Sequence, residues 1–235
     1  HIFHERPLRR PYWGASMTQD ELWELSKSAR CKGWNFLKAD LPECIDEPFF
    51  PPPANLFKAL ELVAPDQVRF VIVGHDPYFS EVAQEPIATG VAFGVRAGLQ
   101  PPKSLARLKS HVYPKAGGSN ELTDWAVAKG VLLINAALTV PGTGKRSAAG
   151  RHLKLKYWNR FFAAILIQAR STKPCPAVVA WGLGSKHCVA PVLTMDWEHP
   201  LPGCVWSYHP VASKVGPNSF TQFWGCEVGK SLVMD

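Results

Sequence analysis

Two polar clusters in this chain hold an acid and a base that could work on one bond: Gly74-His75-Asp76-Pro77-Tyr78 and His209-Pro210. A carboxylate fixed on a turn can orient or deprotonate a water, bind a metal, or cap a helix. Asp76 taken alone is as readily structural as chemical. Its candidate neighbours change the balance: an aromatic at Phe93 within Gly90-Val-Ala-Phe-Gly-Val95, an amide at Asn135, and the imidazole of His209. An aromatic face, an amide with both donor and acceptor, and a histidine near a carboxylate can hold a planar heterocycle and cut a bond beside it. Singly, Phe93 and Tyr78 read as core or turn aromatics, and Asn135 and His209 as structural polar groups; only their combination points to a pocket.

Such residues must be brought together by the fold, since 133 positions separate Asp76 from His209. Four short apolar runs supply the means: Arg69-Phe-Val-Ile-Val73, Val131-Leu-Leu-Ile134, Ala177-Val-Val-Ala180 and Cys204-Val-Trp-Ser-Tyr208, each ending in a polar cluster. In open α/β sheets, ligands sit outside the carboxyl ends of the strands. Residues preceding proline are pushed out of the α region, so Asp76 belongs to a tight turn after the first run. Helices are expected from a Thr18/Glu21 capping box, over Ala54 to Val63, and over Ser119 to Lys129 before Gly130. The longest is expected over Leu153 to Arg170, with Leu155, Trp158, Phe162, Ile165 and Ala169 on one face, and a closing helix over Phe220 to Val233. Strands alternating with helices predict an α/β three-layer domain with a central, mostly parallel four-stranded sheet. Residues 1–17 read as an N-terminal extension and residues 18–235 as one domain.

The chain has 235 residues and a net charge of +7, and the charge is unevenly placed. Eleven of nineteen acidic residues fall within residues 1 to 76. From Trp125 through Met195 there is no Asp or Glu, while ten Lys and Arg are present; Pro86 to Asn120 is a second acid-free stretch. Such polarity suits a polyanionic partner, nucleic acid above all. No apolar run approaches the roughly 18 residues of a membrane span, so no membrane partner is expected. The six cysteines are scattered and form no metal-ligand spacing, which predicts buried, reduced thiols in an intracellular protein and no bound metal.

At the level of ordered motifs, the chain resembles the family 1 uracil-DNA glycosylases. Gly74-His75-Asp76-Pro77-Tyr78-Phe79 is similar to the family's water-activating Gly-Gln-Asp-Pro-Tyr-His, and Gly90 to Val95 to its uracil-stacking Gly-Leu-x-Phe-Ser-Val. Pro101-Pro102-Lys103-Ser104-Leu105, Leu132 to Val140, Trp181-Gly182 and His209-Pro210 follow in the family's order, over roughly residues 20 to 230. The resemblance implies a glycosylase that flips uracil from DNA, hydrolyses its N-glycosidic bond for base excision repair, and needs no cofactor. Asp76 and His209 would be catalytic; His75, Tyr78, Phe93 and Asn135 would bind the base, with Tyr78 excluding the thymine methyl. Uracil-containing DNA, single- or double-stranded, would be the partner of a monomer located wherever the DNA is, nucleus or cytoplasm. A proteinaceous inhibitor or replication proteins are further partners it admits, and a DNA-binding scaffold of a replication processivity complex is the alternative function.

Several positions depart from the family. Phe79 stands for His and His75 for Gln, while Leu183 and Val211 replace two phosphate-pinching serines, of which Ser104 remains. The phosphate grip is therefore expected from Ser104 with Ser185, Lys186, Ser213 and Lys214, and Lys103 and Val211 are expected to contact DNA beside them. Lys214 or Val215 would fill the stack vacated by the flipped base, since Ser213 aligns with the family's Leu wedge.

Overall fold

The computed structural model describes residues 16–115 and 117–234, so most of the expected N-terminal extension lies outside the described residues. The four apolar runs form strands β1 (Phe70–Gly74), β2 (Val131–Asn135), β3 (Ala177–Trp181) and β4 (Cys204–Ser207). Their order in the sheet is β4-β3-β1-β2, and every neighbouring pair is parallel. The chain steps from β1 outward to β2, then returns to the far side of β1 for β3 and β4. That reversal leaves a crevice between β1 and β3 at the strands' carboxyl ends, where parallel α/β sheets bind ligands.

Among the described residues ten α-helices are present, two of them short ones at Lys27–Cys31 and Arg151–Lys154; the other eight are α1 (Gln19–Leu25), α2 (Lys58–Leu62), α3 (Lys103–Val112), α4 (Thr123–Lys129), α5 (Asn159–Arg170), α6 (Leu183–Val192), α7 (Phe220–Phe223) and α8 (Glu227–Leu232). Successive strand side chains point to opposite faces, and the two buried clusters follow that alternation. Val71, Val73, Leu132, Ile134, Val178 and Ala180 pack with Leu22, Leu60, Phe161, Ile165 and Val189 from α1, α2, α5 and α6. Ile72, Leu133, Val179 and Trp181 pack with Leu105, Leu108, Trp125, Phe220 and Leu232 from α3, α4, α7 and α8. Burial on both faces explains why the strands read as continuous apolar runs.

Four helices depart from their expected bounds, two of them at a residue with positive φ. Leu122 adopts φ +60° and starts α4 four residues late. Lys156 adopts φ +59°, splitting the expected Leu153–Arg170 helix into the short helix at Arg151–Lys154 and α5. Leu155, expected on its apolar face, is consequently 49% exposed. The closing helix breaks between Phe223 and Glu227, where the Cys226 thiol caps α8 by accepting from the Gly229 N–H. Over Ala54–Val63 a 3-10 turn at Pro53–Asn55 precedes the shorter α2. The Thr18/Glu21 capping box is present as expected. Cys204 is buried, but Cys31, Cys44 and Cys175 are exposed, against expectation, because they lie outside the central sheet.

Candidate active site

The β1 and β2 ends stay in step beyond the strands: Ala136 N–H donates to Gly74 C=O at 3.0 Å and Ala137 N–H to His75 C=O at 3.1 Å. Gly74 lies opposite Asn135, and a Cβ on Gly74 would sit 2.2 Å from Asn135 Oδ1. Only glycine leaves room for the buried amide at this register.

Two residues past Gly74, the turn presents Asp76 with its side chain 11% exposed. His75 Nδ1 lies 2.9 Å from Asp76 Oδ1, and Gly150 N–H donates to Asp76 Oδ2. The carboxylate is thus clamped from two sides. His75 in turn lies between two glycines: a Cβ on Gly184 would fall 2.1 Å from its Cδ2, and one on Gly150 3.1 Å from its Cε1. Tyr78 closes the turn, its hydroxyl 2.7 Å from Ser104 Oγ at the start of α3. Burial pushes its phenol pKa up to about 12, so the hydroxyl stays neutral.

Phe93 is held at φ +64°, an uncommon conformation for a bulky side chain. The segment is tied to β2 by Ala92 N–H donating to Leu133 C=O at 3.1 Å, and Gly90 passes so near Asn55 that a Cβ would meet its carbonyl oxygen at 1.7 Å. The Phe93 ring packs edge-on against Trp181 at 5.4 Å and tilts toward His209 at 5.8 Å. Beyond β4, His209 sits over Gly182, which has φ +102°. Val211 N–H approaches His209 Nδ1 at 3.3 Å, which makes Nδ1 the acceptor and leaves the proton of a neutral ring on Nε2. Burial first, then the nearby His75, lower the His209 pKa, with Asp76 opposing.

These segments enclose one pocket lined by His75, Asp76, Tyr78, Phe93, Asn135 and His209, with Phe79 and Ala149 at its side, and a volume of about 140 Å³. Cavities of about 150 Å³ admit a single six-membered ring. An aromatic face, an amide edge, a clamped carboxylate and a neutral imidazole donor meet there. Such a pocket can grip a flat polar ring and stabilise negative charge on it as a bond breaks. Among the described residues no cluster of three or more His, Cys, Asp or Glu could hold a metal ion.

The residues expected at DNA divide. Lys103 is exposed at the first turn of α3, whose amides have no side-chain cap. Val211 is 53% and Val215 91% exposed on the loop after His209, with Ser213 and Lys214 exposed between them. Ser104 is buried with its hydroxyl engaged by Tyr78. Ser185 is wholly buried and donates to Trp181 C=O at 3.1 Å, so its hydroxyl is not offered to a phosphate; it faces inward because α6 packs on the sheet. Lys186 Nζ lies 3.9 Å from the centre of the Trp206 ring, beside β4. Unforeseen was Arg107, one turn into α3, which donates to Pro210 C=O at 2.8 Å, Ala212 C=O at 3.2 Å and Thr221 Oγ1 at 2.9 Å. It fastens the loop carrying His209, and no local pattern could show a tie across more than a hundred residues.

Fold and pocket together define a three-layer α/β protein with a one-ring site at the sheet's switch point. No family model matches the chain. It is 34% identical over 168 residues to the uracil-DNA glycosylase of equine herpesvirus 1, covering 68% of this chain and 51% of that protein. It is 31% identical over 194 residues to the uracil-DNA glycosylase of Chlamydia trachomatis, covering 81% of this chain and 76% of that one. A variant of mimivirus UNG solved in complex with UGI superposes with a TM-score of 0.57 at 26% identity, over 73% of this chain and 64% of the other. The chain belongs to the uracil-DNA glycosylase family. It spans about half the length of the first relatives it matches.

Proposed function

We propose that this chain is a monofunctional uracil-DNA glycosylase acting on single- or double-stranded DNA in base excision repair. The observation that carries the reading is the convergence of Asp76, Phe93, Asn135 and His209, from four separate segments, on one cavity of one-ring size. A flipped uridine places its base on Phe93, at an unstacking cost of roughly a few kcal/mol that phosphate contacts offset. The Asn135 amide pairs with the O4 and N3 edge, and a cytosine there leaves buried polar groups mispaired. Tyr78 stands against C5 and excludes a methyl group.

The bond between the sugar C1′ and uracil N1 then breaks with its electron pair passing to the base. The neutral His209 donates its Nε2–H to the O2 of the leaving anion, and no full proton transfer is needed. The Asp76 carboxylate stabilises the positive sugar and accepts the proton of the water whose oxygen bonds to C1′. Free uracil and an abasic site result. No residue of this scheme requires a metal. The exposed loop from Val211 to Val215 is the candidate filler of the vacated stack, with Val215 as its apolar tip. A protein partner such as the UGI bound to the mimivirus relative belongs to the same reading.

The test is incubation, with EDTA present, of the protein with end-labelled oligonucleotides carrying one uracil, followed by alkaline cleavage. Cleavage at uracil and not at thymine or cytosine is expected. Asp76→Asn should lower the single-turnover rate by about 10²- to 10⁴-fold, the usual worth of a positioned general base, while uracil DNA still binds. Intact oligonucleotides despite DNA binding would replace the enzyme by a scaffold that kept the pocket.

A further inference from the structure

Between β2 and α5 runs a segment that the pocket chemistry does not use and that bears the densest positive charge of the site's surroundings. Lys145, Arg146, Arg151, Lys154 and Lys156 are all exposed along it, within the stretch from Trp125 to Met195 that contains no acid. Among the described residues only Arg151 has a carboxylate in reach, Glu47 at 3.4 Å. Among the described residues the other four have no carboxylate within salt-bridge distance.

This display is not a loose loop. Its exposed cations alternate with buried anchors at Ala148, Gly150, His152 and Trp158. Trp158 Nε1–H donates to Thr139 Oγ1 at 2.7 Å, Thr139 Oγ1 lies 2.8 Å from His152 Nδ1, and His152 Nε2 lies 3.3 Å from Glu47 Oε1. Trp158 can only donate, so the Thr139 hydroxyl is free to donate to Nδ1 and the ring keeps its proton toward Glu47. The segment touches the pocket at its middle, where Ala149 lines the cavity and Gly150 N–H holds Asp76. From there Lys154 and Lys156 border a groove beside Ala136, one residue past Asn135.

We propose that residues 143–156 form a preorganised phosphate-binding arm that carries the DNA strand past the pocket. It takes up the grip left by the family serines that Leu183 and Val211 replace and by the inward-facing Ser185. The proposal takes its partner from the glycosylase reading, but its observations are the exposed cations, their buried anchoring and their position at the cavity rim. Fixing the cations before binding lowers the ordering cost of each phosphate contact.

The test compares binding of a uracil-free duplex oligonucleotide across a salt series. In one variant Lys145→Ser, Arg146→Ser, Lys154→Ser and Lys156→Ser are combined, and a milder one carries only Lys145→Ser and Arg146→Ser. A control carries Lys129→Ser and Lys173→Ser at the opposite, amino-terminal end of the strands. For every phosphate that is no longer neutralised, the slope of log K against log salt should become shallower by about 0.9, and the fourfold variant should bind roughly tenfold or more weakly at low salt. The milder variant should show part of both effects, and the control the wild-type slope; thermal melting checks that each variant is folded. An unchanged slope in a folded arm variant, or an equal change in the control, overturns the arm. A wild-type chain that binds DNA yet releases no uracil overturns the glycosylase reading and leaves the arm standing.

Discussion

Asp76 has both carboxylate oxygens engaged before any substrate arrives, Oδ1 with His75 and Oδ2 with the Gly150 amide. Each oxygen retains a lone pair for a water, so the clamp fixes direction and still leaves a place for a water to bind. His209 is its counterpart, with Nδ1 facing the Val211 amide and a pKa lowered chiefly by burial. The neutral-donor role proposed for it predicts a pH dependence. If a cationic His209 were the acid, the rate would fall as pH rises through the imidazole range, because the needed proton would be lost. With a neutral donor the single-turnover rate should hold level as pH rises from about 6.5, the ordinary imidazole value. Loss of rate across that range, absent from His209→Gln, would mean the cation is the working form. His209→Ala should cost about 10²- to 10³-fold, as for other single donors to a developing anion. Tyr78 yields the sharpest residue-scale test: Tyr78→Ala should release thymine from a thymine-containing oligonucleotide, and strict uracil specificity in that variant would remove its gatekeeping role.

Strand ends and the turns after them set these side chains in place, and glycines decide how closely they approach. Gly184 at the start of α6 leaves the space that the His75 ring fills. Gly184→Ala should therefore displace the imidazole from Asp76 and reduce excision, with little change in melting temperature because the ring is partly exposed and can swing outward. If the effect runs through His75, combining Gly184→Ala with His75→Ala should be less than additive. Full additivity in the measured rates would show that Gly184 acts by another route. The strands themselves were legible in the sequence, because burial on both faces writes them as unbroken apolar runs, and their polar ends marked the pocket. The clearances at Gly74, Gly150 and Gly184 were not legible, since each depends on a neighbour brought from a different strand end. Helix ends at Leu122 and Lys156 were misplaced because a non-glycine residue with positive φ leaves no mark in a hydrophobic pattern. The 10-residue α3 and α6 were missed; in α6, Gly184 and Pro191 interrupt the apolar spacing that would have shown it.

Across the whole molecule, three histidines sit where layers or segments meet. His111 of α3 stacks on Trp224 at 5.1 Å, His152 anchors the cationic arm beneath Thr139, and His209 closes the pocket. All three have pKa values lowered from the ordinary imidazole value, each by burial first; Arg107 adds to the effect at His111 and His75 at His209, while Glu47 opposes it at His152. A histidine whose folded pKa is depressed binds its proton more readily when unfolded. The stability it contributes is complete above the unfolded value of about 6.5 and is lost as pH falls from there toward the folded pKa. Carboxylates held low, such as Glu21 and Asp196, would act only in the more acidic range below their ordinary values. The melting temperature should accordingly be level between about pH 7 and 8 and begin to fall below about pH 6.5, the ordinary imidazole value. The wholly buried His152 alone can contribute up to about 1.4 kcal/mol per pH unit within its window. His111→Phe preserves the stack on Trp224 and removes one titrating group, so its melting temperature should fall less steeply over the same interval. A wild-type melting temperature that stays level or rises from pH 7 to 5.5 would mean that these imidazoles take up protons in the fold as easily as outside it, and that burial does not govern their charge.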